Sequence, residues 1–176
     1  MAEIEAMVAA GIIAENERFE LIGGEIVPMS PKGAFHEKVK VELNLRWAQH
    51  LPRDTLVAQE TTFRLGERDF LEPDFVFWPR ALDIRGLAPG VVQLVVEISD
   101  SSLDYDLGRK AAIYAGLGLP DYWVINARRL TTRIHREPKD GAFHVVIDLP
   151  HTETLTPLRL PMLSVKLADL GLAPEA

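Results

Sequence analysis

The chain has 176 residues, 47% of them apolar, which fits one ordinary domain with enough hydrophobic side chains to form a core. It has no cysteine, so disulfide scaffolds, thiolate–zinc sites, iron–sulfur clusters and thiol nucleophiles are excluded. Its formal charge of −7 argues against a polybasic nucleic-acid binder, and no apolar run approaches the ~20 residues that span a bilayer.

The acidic N-terminus does not resemble a secretory or transit signal, so a soluble cytoplasmic domain is expected. The charge is uneven. Residues 1–30 carry six glutamates against Arg18 alone, residues 148–176 carry four acids against Arg159 and Lys166, and the stretch between them is neutral. The acidity therefore sits in the ends, and the middle is free to present a basic face.

Taken in chain order, Glu3 to Ala10 reads as a short helix stopped by Gly11. Arg18–Ile22 and Glu25–Met29 read as a hairpin, because Gly23-Gly24 supplies the positive φ of a two-residue turn. Ser30-Pro31 reads as an N-cap with a first-turn proline. From there to His50, Phe35, Val39, Leu43 and Trp47 form the stripe of an amphipathic helix. Thr55–Leu65, Leu71–Trp78 and Val91–Ile98 read as three strands, the last apolar on both faces and so central in a sheet. Leu103–Leu117 reads as a second helix, Tyr122–Ile125 as a strand, Thr131–His135 with Phe143–Ile147 as an antiparallel pair, and Leu163–Leu170 as a closing helix. The central order of helix, three strands, helix, strand predicts an α/β or α+β domain with a mixed sheet.

Two carboxylates stand out. Asp74 lies within the apolar run Phe75-Val76-Phe77 and its flank Glu72-Pro73, and Glu97 within Leu94-Val95-Val96-Glu97-Ile98. Carboxylates are depleted in strands and costly to bury unless paired or bound to a cation. On neighbouring strands the two could share one hard divalent ion, with the Ile98 carbonyl as a further oxygen. Ser99, two residues on, points to the same face as Glu97. On the second helix Lys110 is one turn from both Asp106 and Tyr114, so the three share an edge. An ammonium there could orient an attacking water and stabilise a charged transition state.

Weaker candidates have ordinary alternatives. Glu20, in Phe19-Glu20-Leu21, is either a third carboxylate of the site or the exposed half of an alternating strand, and Gln59 and Glu60 share that ambiguity. A lone His36, one turn before Lys40, reads first as a surface or capping residue. Arg128, Arg129, Arg133, Arg136 and Lys139 are either a phosphate track or a solvated edge hairpin protected by charge.

Pro73-Asp74, then Glu97 and a following lysine, resembles the PD-(D/E)XK nuclease superfamily. Three segments more narrowly resemble the Uma-two family of restriction endonucleases. These are Phe19-Glu20-Leu21-Ile22-Gly23-Gly24-Glu25 with Ser30-Pro31 and His36; Glu72-Pro73-Asp74-Phe75-Val76; and Val95-Val96-Glu97-Ile98-Ser99 followed by Lys110, Tyr114 and Tyr122-Trp123. The resemblance implies a restriction-endonuclease-like αβββαβ core with added antiparallel hairpins. Residues 1–30 would be an N-terminal extension, 31–126 the core and 127–176 a C-terminal hairpin and helix of one domain.

It further implies Asp74 and Glu97 as ligands of Mg²⁺, with Mn²⁺ as a substitute, DNA as substrate, and a lysine assisting the water that cleaves a phosphodiester. Ser99 stands where the superfamily has that lysine; in this family it is displaced onto the next helix, where Lys110 stands. Glu20 and His36 match a recurrent glutamate and histidine. A homodimer would suit a two-stranded substrate. Two other classes remain open: a non-catalytic accessory module on the same fold, and, with little support from three Trp and three Tyr, a carboxylate-pair glycosidase.

Overall fold

The structure, a computed structural model, describes residues 2–14 and 17–175. A six-stranded mixed sheet runs in the order β10-β9-β8-β7-β6-β3. Its strands are β3 (Thr55–Ala58), β6 (Phe75–Pro79), β7 (Leu94–Ser99), β8 (Asp121–Asn126), β9 (Thr132–Lys139) and β10 (Ala142–Leu149). Only β7 and β8 are parallel, and a helix spanning residues 103–116 makes their crossover. Every residue of β7 is buried, as its two-sided apolar sequence predicts for a central strand.

Period-two alternation in β6 and β7 divides the core between two faces. Phe75, Phe77, Leu94, Val96 and Ile98 pack with Val39, Leu43 and Trp47 of α2 (Ala34–His50). Trp47 sets its edge against Phe75 and Phe77 at 5.0 and 5.3 Å, and its indole N–H donates to the Leu163 carbonyl at 2.9 Å. Val76, Val95 and Val124 point the other way, onto Ala111 and Tyr114 of the crossover helix. That helix is continuous but not uniform. Turns at α3 (Leu103–Tyr105) and α4 (Ala111–Gly116) flank a π-helical turn, Asp106–Lys110. Widened turns of this kind are frequent at functional sites, and here the Asp106 carbonyl accepts the Tyr122 hydroxyl at 2.9 Å.

A second, four-stranded sheet has the order β2-β1-β5-β4, from β1 (Phe19–Ile22), β2 (Glu25–Pro28), β4 (Phe63–Arg64) and β5 (Phe70–Leu71). Gly23 and Gly24, at φ 62° and 80°, make the predicted tight turn between β1 and β2. Phe19 and Leu21 pack with Ile4, Met7 and Val8 of α1 (Ala2–Ala9). Alternation then sends Glu20 to the opposite face, where it is buried.

The order α2, β3, β6, β7, helix 103–116, β8 reproduces the expected αβββαβ core. Four local expectations are corrected. The N-terminus of α2 lies at Gly33, which makes no side-chain cap; Ser30 and Pro31 belong to the loop before it. The expected strand 55–65 divides at Glu60, whose φ of 49° is unfavourable for a residue with a side chain and turns the chain from the large sheet into the small one. The expected strand 71–78 divides at Pro73-Asp74, and the two breaks are tied by the Glu60 N–H to the Pro73 carbonyl at 2.9 Å. The closing helix is replaced by two 3₁₀ turns, Pro161–Leu163 and Leu167–Leu170, around β12 (Val165–Lys166), which pairs with β11 (Thr154–Leu155). Leu163, Val165 and Leu167 are buried at every second position, the period of an extended chain rather than of a helix. Among the described residues no helix is long and apolar enough to cross a membrane.

Candidate active site

The two strand carboxylates lie at the end of the β6–β7 pair. Phe75 pairs with Val96, and continuing that register by one residue puts Asp74 opposite Glu97. Both line a cleft of about 270 Å³. Alternation from Val95 carries Glu97 and Ser99 toward the crossover helix, as the sequence predicts.

Around Glu97 the charge is concentrated on one ammonium. Lys110 Nζ lies 3.0 Å from Glu97 Oε1, 2.9 Å from Glu20 Oε1 and 3.6 Å from Asp106 Oδ1. The Tyr114 hydroxyl also donates to Glu97 Oε1, at 3.3 Å, so both donors use one oxygen. Glu20 is held in turn by the Glu72 N–H at 3.1 Å and the Tyr105 hydroxyl at 3.0 Å. Asp106 accepts from Ser99 Oγ at 2.7 Å and Ser102 Oγ at 2.6 Å.

Three buried carboxylates thus share one buried cation. Burial pushes the Glu97 carboxyl well above its usual range; Lys110 opposes this, and Asp106, Asp74 and Glu20 add to it. Burial likewise raises Asp106 against the pull of Lys110. Burial alone would lower Lys110, but Glu97, Glu20 and Asp106 together hold its ammonium well above the ordinary lysine range.

Asp74 has a different setting. Its Oδ2 accepts the Ile98 N–H at 2.7 Å, and its Oδ1 lies 2.9 Å from His36 Nε2 and 2.6 Å from Lys32 Nζ. Burial would raise this carboxyl, but the hydrogen bond from His36 and the charges of His36 and Lys32 prevail and hold it below the ordinary aspartate range. Lys32 also reaches Glu60 Oε1 at 2.6 Å, which Lys40 contacts as well, and Arg18 lies 3.2 Å from the other Glu60 oxygen. Burial opposes Lys32 and Lys40 at Glu60, yet these two bring its carboxyl down to about 2.

The cleft brings together Asp74, Glu97, Ile98, Lys110, Glu20 and His36. Ser99 and Tyr114 adjoin it through Asp106 and Glu97. The reading of His36 as a surface or capping side chain is corrected: it is buried because α2 begins over the end of β6, where Asp74 binds it. Three members of the basic string are paired with acids. Arg133 is paired with Asp148, Arg136 with Asp121, and Arg128 with Asp100 and Glu175. Sequence reasoning missed Lys32 and Tyr105 and left Glu60 ambiguous. Pro31-Lys32-Gly33 carries no motif, and Tyr105 meets Glu20 across 85 residues of chain.

The donor set fits a small hard cation. Among the described residues no three His, Asp or Glu side chains converge as a ready cage. Mg²⁺ needs none, since it is usually bound by one or two carboxylates and keeps several waters. Glu97 Oε2 is not used by either donor to that carboxylate. The Ser99 carbonyl accepts the Ala127 N–H, so the Ile98 carbonyl, one residue earlier, points away from β8 and toward Asp74. Six carboxylates line the cleft against two lysines, an excess that a divalent ion would reduce.

No curated protein matches the chain. The chain superposes on the crystal structure of "a putative nuclease belonging to DUF820" from Anabaena variabilis with a TM-score of 0.66 and 15% identity, covering 88% of this chain and 89% of that one; this is a likeness of fold. Residues 2–169 match the Uma2 family, described as "Putative restriction endonuclease", and over that span the chain belongs to it.

Proposed function

We propose that the chain is a Mg²⁺-dependent endodeoxyribonuclease, with Asp74, Glu97 and the Ile98 carbonyl holding the ion and Mn²⁺ able to replace it. The observation that carries this reading is the placement of Asp74 opposite Glu97 in a cleft with more buried carboxylates than cations. Membership of a restriction-endonuclease family supports it.

When bound, the ion would supply positive charge to a phosphodiester and to an attacking water. The protein's own groups prepare the place. His36 and the Ile98 N–H fix both oxygens of Asp74, and Lys110 and Tyr114 fix Oε1 of Glu97 while leaving Oε2 available. Glu20 anchors Lys110 from the small sheet, so the two sheets and the crossover helix are joined at one ammonium.

One observation favours a non-catalytic module instead: lysine ammonium groups already lie on both Asp74 and Glu97. Nicking of supercoiled plasmid with Mg²⁺ or Mn²⁺ separates the two. Loss of nicking in Asp74→Asn and Glu97→Gln is expected. Equal nicking by wild type and both variants would reveal a contaminant, and calorimetry without carboxylate-dependent Mg²⁺ binding would favour the module.

A further inference from the structure

The cleft holds two lysines in unlike positions. Lys110 is 4% exposed, its ammonium lies 2.9 Å from Glu20, 3.0 Å from Glu97 and 3.6 Å from Asp106, and the Tyr105 ring lies 5.6 Å away. Burial among three carboxylates makes this ammonium a poor contact for an incoming phosphate. Lys32 sits on the lip of the cleft, in the loop between β2 and α2, with 15% of its side chain exposed. Asp74 and Glu60 take two of its three N–H groups, which leaves one for a ligand. Glu60 also keeps Lys40 and Arg18, so Lys32 can turn from it without stranding a lone carboxylate.

The lip is held in place by a close approach. A Cβ on Gly33 would strike an Asp100 carboxylate oxygen, and Asp100 is pinned by Arg128 Nε at 2.6 Å. Glycine at 33 therefore lets the segment bearing Lys32 lie against the end of β7.

We infer that Lys32 is the residue that contacts the phosphate of a bound nucleic-acid strand, whereas Lys110 is a positioning residue that holds Glu97 and Glu20. The inference rests on the nuclease reading for the identity of the ligand. It gives the acidic cleft a cation at its mouth, where phosphate must enter, and separates the two tasks that a single lysine would otherwise share.

Fluorescence anisotropy with a labelled DNA duplex and Ca²⁺ in place of Mg²⁺ tests this apart from turnover. Lys32→Ala is expected to bind about tenfold more weakly and to lower the slope of log affinity against log salt by about one. It should lose much less thermal stability than Lys110→Met, because His36 and the Ile98 N–H still hold Asp74 and Lys40 still holds Glu60. Lys32→Arg should restore most of the affinity, and Lys32→Met serves if the alanine variant fails to fold. Lys110→Met should lose thermal stability instead. Unchanged binding and salt slope in Lys32→Ala overturn the inference. Lys32-dependent binding without any nicking by wild type supports the contact and sinks the nuclease reading. Nicking that ignores Lys32→Ala does the reverse, and no binding by wild type overturns both.

Discussion

Asp74 stands opposite Glu97 across the end of the β6–β7 pair, yet the two carboxyls are driven in opposite directions, Asp74 below and Glu97 above the ordinary range. Asp74 is answered by His36, Lys32 and a backbone N–H, whereas Glu97 shares Lys110 with two other buried acids. A divalent ion between them would chiefly relieve Glu97. Saturating Mg²⁺ at about 100 times its Kd should therefore stabilise the fold by about 2.7 kcal/mol, and Asp74→Asn or Glu97→Gln should abolish that gain in a urea titration. Equal stabilisation of wild type and variants would place the ion elsewhere.

His36 touches the proposed metal ligand Asp74 at 2.9 Å. Groups that orient a ligating carboxylate typically change metal affinity by about 10–100-fold when removed. Isothermal titration of His36→Ala with Mn²⁺ should show a loss in this range, and the melting temperature should move far less than in a core-cavity variant. Affinity equal to wild type would show that the Ile98 N–H alone positions Asp74.

Removing the Lys110 ammonium leaves Glu20, Glu97 and Asp106 buried without their common cation. Breaking a buried pair from one side costs about 3–5 kcal/mol, so a urea titration of Lys110→Met should show stability lower by that amount. Adding Glu97→Gln should recover part of the loss in a double-mutant cycle. In the single variant the carboxyls already raised by burial bind protons more readily folded than unfolded, so its stability should rise as pH falls toward 5. A deficit independent of pH would contradict this electrostatic account.

His135 gives a pH dependence away from the cleft. It is buried between Tyr122 and Phe143, and its Nε2 has no partner among the described residues. Burial, aided by the Arg133 charge, lowers its pKa from 6.5 to about 4. The unfolded chain then binds the extra proton between those values, so this contribution is fully present above pH 6.5 and is lost as pH falls toward 4. After discounting for partial solvent screening it amounts to about 1–2 kcal/mol. Denaturant titrations at pH 7.5 and 4.5 should show that difference shrinking in His135→Phe. An unchanged difference would assign the acid sensitivity to other groups.

Much of the fold and half of the site are legible without coordinates, because local pattern and chemistry determine them. Val39, Leu43 and Trp47 recur at helical spacing, Gly23-Gly24 makes its turn, and the two-sided apolar run around Val95 can only be central. Asp74, Glu97 and Lys110 stand out for a related reason: carboxylates within apolar strands are expensive unless something answers them. What answers them is not local. Lys32 and His36 reach Asp74 across 42 and 38 residues, and Tyr105 reaches Glu20 across 85.

The misread stretches have the same origin. The strand breaks at Glu60 and Asp74 depend on contacts between two sheets, and the segment after Leu163 follows a strand partner, β11, that no helical pattern announces. By itself the sequence determined the order of core elements and the carboxylates that need a cation. Only the tertiary structure decided that Lys110 is enclosed by acids while Lys32 stands at the mouth of the cleft. A side chain's exposure and its partners depend on which distant segments pack around it, and spacing along the chain carries no record of that.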